Sequence, residues 1–199
     1  MSPNAEPILP RAILFDMDGT LTEPLLDFPR IKAEMGIGSR PILEALAEMD
    51  ERSRHHAQIV LHRHEEEAAA RSTLNPGCRE LLDGLAARGF LTALITRNSY
   101  STVQTVLRRH ALKFEVLVTR DDAPPKPHPA PLHRACRKLG VGCEEVWMVG
   151  DGQYDIEAGI AAGIRTVWLS HNRERPFEAA PWRQACDLHE LARQLFLDR

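Results

Sequence analysis

Ala12-Ile13-Leu14-Phe15-Asp16-Met17-Asp18-Gly19-Thr20 decides the reading of the chain. Four continuous apolar residues stop on an aspartate, and a second aspartate and a glycine follow at once. A short apolar run without alternation, bounded by turn-forming residues, suits a strand buried on both faces of a parallel sheet. Runs at 90–95, 114–118, 146–149 and 166–169 share that character.

Working outward, helical stretches fall between these runs. Residues 76–88, 101–110, 131–139 and 155–162 carry apolar positions at helical spacing, and three of them stop at Gly89, Gly140 and Gly163. Strands alternating with such helices predict an α/β fold, a doubly wound, Rossmann-like parallel sheet of about five strands. Residues 22–74 break the alternation. Stretches 29–35, 39–49 and 50–72 read as helices with no strand among them. The expected division is therefore a core of residues 1–21 and 75–199 with a small all-helical cap at 22–74. The first ten residues, with three prolines, read as a loose leader.

The composition narrows the function. The chain has 199 residues, 25 basic against 28 acidic, for a net charge of −3. The whole excess falls in residues 22–74, which hold 10 acidic and 7 basic side chains. A balanced charge argues against a nucleic-acid binder, which needs a basic surface to displace counterions. No apolar run reaches the roughly 18–20 residues of a membrane span, and no signal-peptide pattern opens the chain. A cytoplasmic protein, monomeric or weakly dimeric, is the expectation. Cys78, Cys136, Cys143 and Cys186 form no Cys-x-x-Cys pair and read as small apolar core residues.

Open parallel sheets bind ligands outside the carboxyl ends of their strands. Asp16 and Asp18 follow the first run, Thr96-Arg97-Asn98 the second, and Asp151 the fourth, with Asp155 four residues on. Lys126 stands in the proline-rich stretch ahead of the third helix. One sheet edge thus gathers four carboxylates, a hydroxyl and an ammonium. Clustered carboxylates repel unless a cation separates them. Hard oxygen ligands suit Mg²⁺, which keeps some waters and shares a substrate phosphate. A lysine and a hydroxyl can hold the remaining phosphate oxygens. A carboxylate can then attack phosphorus, while a second carboxyl two residues on protonates the leaving oxygen.

Phe15-Asp16-Met17-Asp18-Gly19-Thr20-Leu21-Thr22, then Thr96, Lys126 and Gly150-Asp151-Gly152-Gln153-Tyr154-Asp155, resembles the haloacid dehalogenase-like hydrolase superfamily, with all four of its motifs in order over roughly residues 11–170. The resemblance implies a subclass I phosphatase with a helical cap, acting on a small phosphorylated metabolite with Mg²⁺. It implies Asp16 as nucleophile, Asp18 as general acid and base, and Thr96 and Lys126 as phosphoryl-binding groups. It implies Mg²⁺ on the Asp16 side chain, the Asp18 carbonyl and Asp151, with Asp155 acting through the metal shell or Lys126. Gly152 departs from the serine or threonine common at that place, and a cap of about 50 residues is short for the family.

Arg97 and Asn98 offer backbone N–H groups at a helix start, a phosphate cradle, with side chains turned to solvent or the cap. Thr96 can also serve as that helix's N-cap. His55, His56, His62 and His64 read as a solvated helix face, since no metal-ligand pattern joins them. Trp147 and Trp168 read as core, and Trp182 as a local contact. Glu23, Arg30, Lys32 and Arg40 read as surface charges. Two further functions stay open at this point. A phosphomutase would pass the phosphoryl group on and back, and a binding or regulatory protein would keep the scaffold without turnover.

Overall fold

The computed structural model describes residues 9–196. The first eight residues of the expected leader lie outside them. The described residues divide into two compact units, one of residues up to Glu23 with 73–97 and 112 onward, the other of residues 24–72 and 98–111.

The first unit holds a six-stranded parallel sheet in the order β3-β2-β1-β4-β5-β6. Its strands are β1 (Ala12–Phe15), β2 (Leu91–Ile95), β3 (Val116–Val118), β4 (Val146–Gly150), β5 (Arg165–Leu169) and β6 (Arg183–Ala185). The chain builds outward from β1 to β3, returns across the sheet and builds the other way from β4. Its direction therefore switches between β1 and β4, the crevice where open α/β sheets bind ligands.

Alternate residues of the strands feed opposite faces. Ala12, Leu14, Ala93, Ile95, Val146 and Met148 join Leu132, Ala135 and Ala158 in one buried cluster. Those last residues come from α6 (Ala130–Leu139) and α7 (Gln153–Ala161). Ile13, Phe15 and Leu94 are equally buried and belong to the other face. Helices α4 (Cys78–Ala87) and α8 (Leu188–Phe196) pack on each other in this unit, with Leu81, Leu85, Leu188 and Leu191 buried. The Gly140 stop is left-handed, at φ 68°, as the C-terminus of α6 requires.

The expectation of about five strands needs correction. The sixth, β6, is a three-residue edge strand of which only Ala185 is buried, so it presents no apolar run to read. The run at 114–118 shortens to three residues.

The second unit is helical. It contains α1 (Phe28–Met35), α2 (Ile42–Glu48), α3 (Glu51–Arg71) and also α5 (Tyr100–His110), a helix the alternation had given to the sheet. Its core joins Ile31, Met35, Ile42, Leu46, Ala57, Val60 and Leu61. Asp27 caps α1 and Asp50 caps α3, each accepting from a backbone N–H three residues on. Glu66 accepts from Thr102 and Thr105, which ties α3 to α5. The Ser72 hydroxyl lies 2.9 Å from His110 Nε2, and Arg109 donates to the Ser72 carbonyl. An apolar stripe on α5 (Val103, Val106, Leu107) fits a partner helix as well as a sheet. Sequence periodicity does not separate the two.

His55, His56 and His62 are exposed, but His64 is not: its Nε2 lies 3.1 Å from Glu34. Arg30 and Arg63 also hold Glu34. Cys78 and Cys136 are buried, while Cys143 and Cys186 are only half-buried. No helix of the described residues is long and apolar enough to cross a membrane.

Candidate active site

Asp16 leaves β1 by donating its N–H to the Val149 carbonyl at 2.9 Å. That bond continues the β1–β4 pairing by one step and sets Asp16 beside the end of β4. The chain then turns tightly. The Met17 carbonyl collects the N–H groups of Thr20, Leu21 and Thr22. Gly19 takes a φ of 82°, and a Cβ there would stand 2.5 Å from Asp151 Oδ2. Only glycine tolerates both the left-handed backbone and that approach. The Asn75 amide holds the turn from outside, donating to the carbonyls of Gly19, Thr20 and Thr22 at 3.2, 2.8 and 3.1 Å.

Lys126 stands in the loop ahead of α6 with its side chain only 2% exposed. Its ammonium donates to Asp16 Oδ1 at 2.7 Å, Asp155 Oδ1 at 2.6 Å and the Ile95 carbonyl at 2.6 Å. All three of its protons are thereby used. Burial works against the charge, but Asp155 and Asp16 outweigh it and hold Lys126 above the ordinary lysine range. Burial also pushes the Asp16 carboxyl well above the usual carboxylate range. Lys126 pulls it back, while Asp155, Asp151 and Asp18 add like charge.

Asp155 opens α7, and its second oxygen accepts from the Gly152 N–H at 3.1 Å. Gly150 is needed here too, since a Cβ would meet the Asp155 side chain at 2.3 Å. Asp151 is fixed from β5 and the loop behind it. Trp168 Nε1 donates to its carbonyl, and Arg173 Nη2 donates to Oδ2, both at 3.1 Å. Burial and the Asp155 charge raise the Asp151 carboxyl against the pull of Arg173.

Asp16, Asp151 and Asp155 each offer a carboxylate oxygen within 4.8 Å of the others. An all-oxygen set of crowded like charges fits a hard divalent cation. Asp18 lies outside that trio of side chains, though its charge reaches Asp16.

Thr96 is buried at the end of β2, its N–H on the Val118 carbonyl at 3.0 Å. The N-cap of α5 is Ser99, whose hydroxyl accepts from the Thr102 N–H, and not Thr96. The expected orientation of Arg97 also needs correction. Its guanidinium donates to the Lys126 carbonyl and lies 4.4 Å from the Tyr154 ring centroid. A guanidinium combines a donating edge with a face that stacks on a ring, and Arg97 uses both here. Asn98 is buried and falls in the second unit.

The loop after β5 was missed altogether. Ser170-His171-Asn172-Arg173 follows the fifth apolar run just as the motif loops follow the others, and that position was the available signal. His171 Nε2 lies 2.6 Å from the Gly19 carbonyl, and Arg173 holds Asp151. Two consecutive non-glycine residues, His171 and Asn172, are left-handed, at φ 50° and 59°. Such strain persists where its surroundings over-determine it, here through bonds on either side of the acidic cluster. Trp168, read as core only, is core and also a donor to Asp151. Asn75 gave no signal, because its carbonyl partners lie more than fifty residues away.

Residues 25–169 match the family described as haloacid dehalogenase-like hydrolase. The chain is 32% identical over 189 residues to a phosphoglycolate phosphatase of Colwellia psychrerythraea, covering 80% of this chain and 84% of that one. It is 28% identical to an N-acetylmuramic acid 6-phosphate phosphatase of Pseudomonas aeruginosa, covering 83% and 84%. A solved hydrolase structure from Pseudomonas syringae superposes with a TM-score of 0.79 at 21% identity, covering 92% of this chain and 97% of that one. The last likeness is one of fold.

Proposed function

Because the chain belongs to the haloacid dehalogenase-like hydrolase family, we propose that it hydrolyses a small phosphate monoester through a phosphorylated Asp16. One observation carries this reading: a fully bonded, buried Lys126 joins Asp16 to Asp155 at the rim of a three-carboxylate cluster. A structural ion pair needs no third carboxylate. A phosphate-handling site needs a nucleophile, a buried cation and a place for a metal.

Asp16, Asp151 and the Asp18 carbonyl would hold Mg²⁺. Bound there, the ion supplies charge neutralisation of the phosphate and of the carboxylates around it. Lys126 orients one Asp16 oxygen and leaves the other to attack phosphorus. The phosphorus–oxygen bond to the alcohol breaks as the aspartyl bond forms, and the protonated Asp18 carboxyl gives its proton to the departing oxygen. Asp18, now a carboxylate, takes a proton from water. That water attacks the phosphorus, releases inorganic phosphate and restores Asp16. Thr96 would hold a phosphoryl oxygen through both steps, while the Lys126 ammonium, its three protons on Asp16, Asp155 and the Ile95 carbonyl, supplies positive charge beside the reacting group. Gly152 in place of a hydroxyl residue removes no charge from the site.

Phosphoglycolate and N-acetylmuramic acid 6-phosphate, the compounds in the names of two relatives, are both small phosphate monoesters, which supports that substrate class here. The test is a panel of phosphorylated metabolites incubated with the purified protein and Mg²⁺. Release of inorganic phosphate from at least one member is expected. An isomerised sugar phosphate without release would replace the reading by a mutase. Inertness toward every member and toward an activated aryl phosphate would replace it by a binding role.

A further inference from the structure

Arg97, at the carboxyl edge of the sheet, bonds the backbone of the Lys126 loop and stacks on the start of α7. It directly follows Thr96. Its Nη1 donates to the carbonyl of Lys126, and its guanidinium carbon lies 4.4 Å from the Tyr154 ring centroid. Tyr154 is the residue before Asp155, and Asp155 is bonded to the Lys126 ammonium. The contacts close a ring: Thr96 to Arg97 by the chain, Arg97 to Lys126, Lys126 to Asp155, Asp155 to Tyr154 by the chain, and Tyr154 back to Arg97. The Arg97 carbonyl in turn accepts from Arg120 Nη1 at 3.2 Å. A peptide unit is planar, so that bond also fixes the plane of the 97–98 peptide.

We infer that Arg97 is a positioning residue, which clamps the Lys126 loop and the start of α7 so that the ammonium stays on Asp16 and Asp155. This rests on the phosphatase reading for its effect on turnover. The chemistry selects arginine: a guanidinium donates in its plane while its face stacks on an aromatic ring, and a lysine ammonium does not combine the two. Arg97 works through Lys126 and the Asp16 carboxylate it orients, which act on the transferred phosphoryl that every substrate shares. It therefore acts on kcat, by the same factor for any leaving group.

The experiment compares Arg97→Ala, Arg97→Lys, Tyr154→Leu and Tyr154→Phe with the wild-type protein in Mg²⁺, on p-nitrophenyl phosphate and on an alkyl phosphate. Misplacing reacting groups by about 1 Å costs on the order of 100-fold, so Arg97→Ala should lose roughly that in kcat on both esters with KM little changed. Arg97→Lys should recover little of it. Added guanidinium should restore part of the Arg97→Ala rate, and Tyr154→Phe should recover most of what Tyr154→Leu loses. Amide hydrogen exchange at Lys126 and His128, the two N–H groups in the proline-rich 124–129 segment, should quicken in Arg97→Ala and Tyr154→Leu. A wild-type kcat in Arg97→Ala overturns the inference. So does a loss that appears in KM and differs between the esters, which would make Arg97 a substrate contact. Unchanged exchange at Lys126 and His128 overturns it as well. The exchange measurement needs no turnover, so wild-type inertness would sink the phosphatase reading while the clamp is still decided.

Discussion

The Lys126 ammonium lies 2.6 Å from an Asp155 carboxylate oxygen, across 29 residues of chain, with both side chains almost wholly out of water. The pair joins the loop ahead of α6 to the start of α7, and its third member, Asp16, brings in β1. The site's charges therefore also hold its loops together. Their removal should be read in stability as well as in rate.

Lys126→Met should be the more damaging change at this pair. It leaves Asp16, Asp151 and Asp155 facing one another without their buried cation, and breaking a buried pair on one side costs about 3–5 kcal/mol. Asp155→Asn keeps the size and leaves Asp16 on the ammonium, so it should cost less, about 1.5–3 kcal/mol for a charged hydrogen bond. Adding Asp155→Asn to Lys126→Met should recover part of the loss, because it removes one of the stranded carboxylates. Urea unfolding in chelator measures all three, and a double variant weaker than Lys126→Met alone would contradict the charge argument.

Gly19→Ala tests the approach of the first motif to the fourth. The new methyl would meet the Asp151 carboxylate at 2.5 Å from a backbone at φ 82°. The turn or Asp151 must shift, and a non-glycine residue held in such a conformation costs on the order of 1–3 kcal/mol. The expected result is a lowered unfolding midpoint together with weakened Mg²⁺ binding by calorimetry. Gly36→Ala serves as the comparison, since its Cβ meets nothing within 4 Å at a similar φ of 68°. If the two variants bound Mg²⁺ equally well, the close approach would have no bearing on the metal.

Much of this was legible in the chain because strand ends in a parallel sheet converge on one edge. Asp16, Thr96 and Asp151 each follow an apolar run, so pattern alone placed them together. Lys126 was found through its motif and not through periodicity. The groups that brace these residues were hidden for two physical reasons. Asn75 and Tyr154 act across long sequence separations, through partners no local pattern announces. The loop after β5 holds Arg173 and His171 at a strand end the apolar run already marked, but its residues form no catalytic pattern of their own, and their partners Asp151 and Gly19 lie 22 and 152 residues away. Helix α5 was assigned to the sheet because an amphipathic helix does not declare in sequence which apolar surface it covers.

Glu34 gives the pH dependence of the helical unit. Hydrogen bonds from His64 and Arg30, with Arg63 beyond them, lower its carboxyl from 4.5 to about 2. A carboxyl lowered on folding stabilises fully above its unfolded value and loses that contribution as pH falls through its folded one. The loss therefore runs from about pH 4.5 down to about 2. Glu34→Gln should be less stable than the wild type at pH 6 and should lose less on acidification to pH 3. The side chain is solvated, so added salt should shrink the difference. Parallel pH profiles of Tm for the two proteins would show that Glu34 contributes nothing through its charge.

Asp16→Asn and Asp18→Asn should separate two roles that sit two residues apart. Asp16 is the carboxylate on Lys126 and a member of the acidic trio, whereas Asp18 stands outside that trio. Asp16→Asn removes the nucleophile, so no phosphoenzyme should form and turnover should fall to background. Asp18→Asn keeps its backbone carbonyl for the metal and loses only the titratable group. General acid–base catalysis is worth roughly 10²–10⁴-fold, and Asp18→Asn should be slowed by that order. The loss should be largest for alkyl phosphates and smallest for an activated aryl phosphate, whose leaving group needs little protonation. The same carboxylate is needed to activate water in the second step. In Asp18→Asn the aspartyl-phosphate should therefore outlive its wild-type counterpart, and mass spectrometry after an acid quench should find added phosphate on the peptide containing Asp16. Substantial turnover by Asp16→Asn with Mg²⁺ still bound would remove the covalent step and favour direct attack by water.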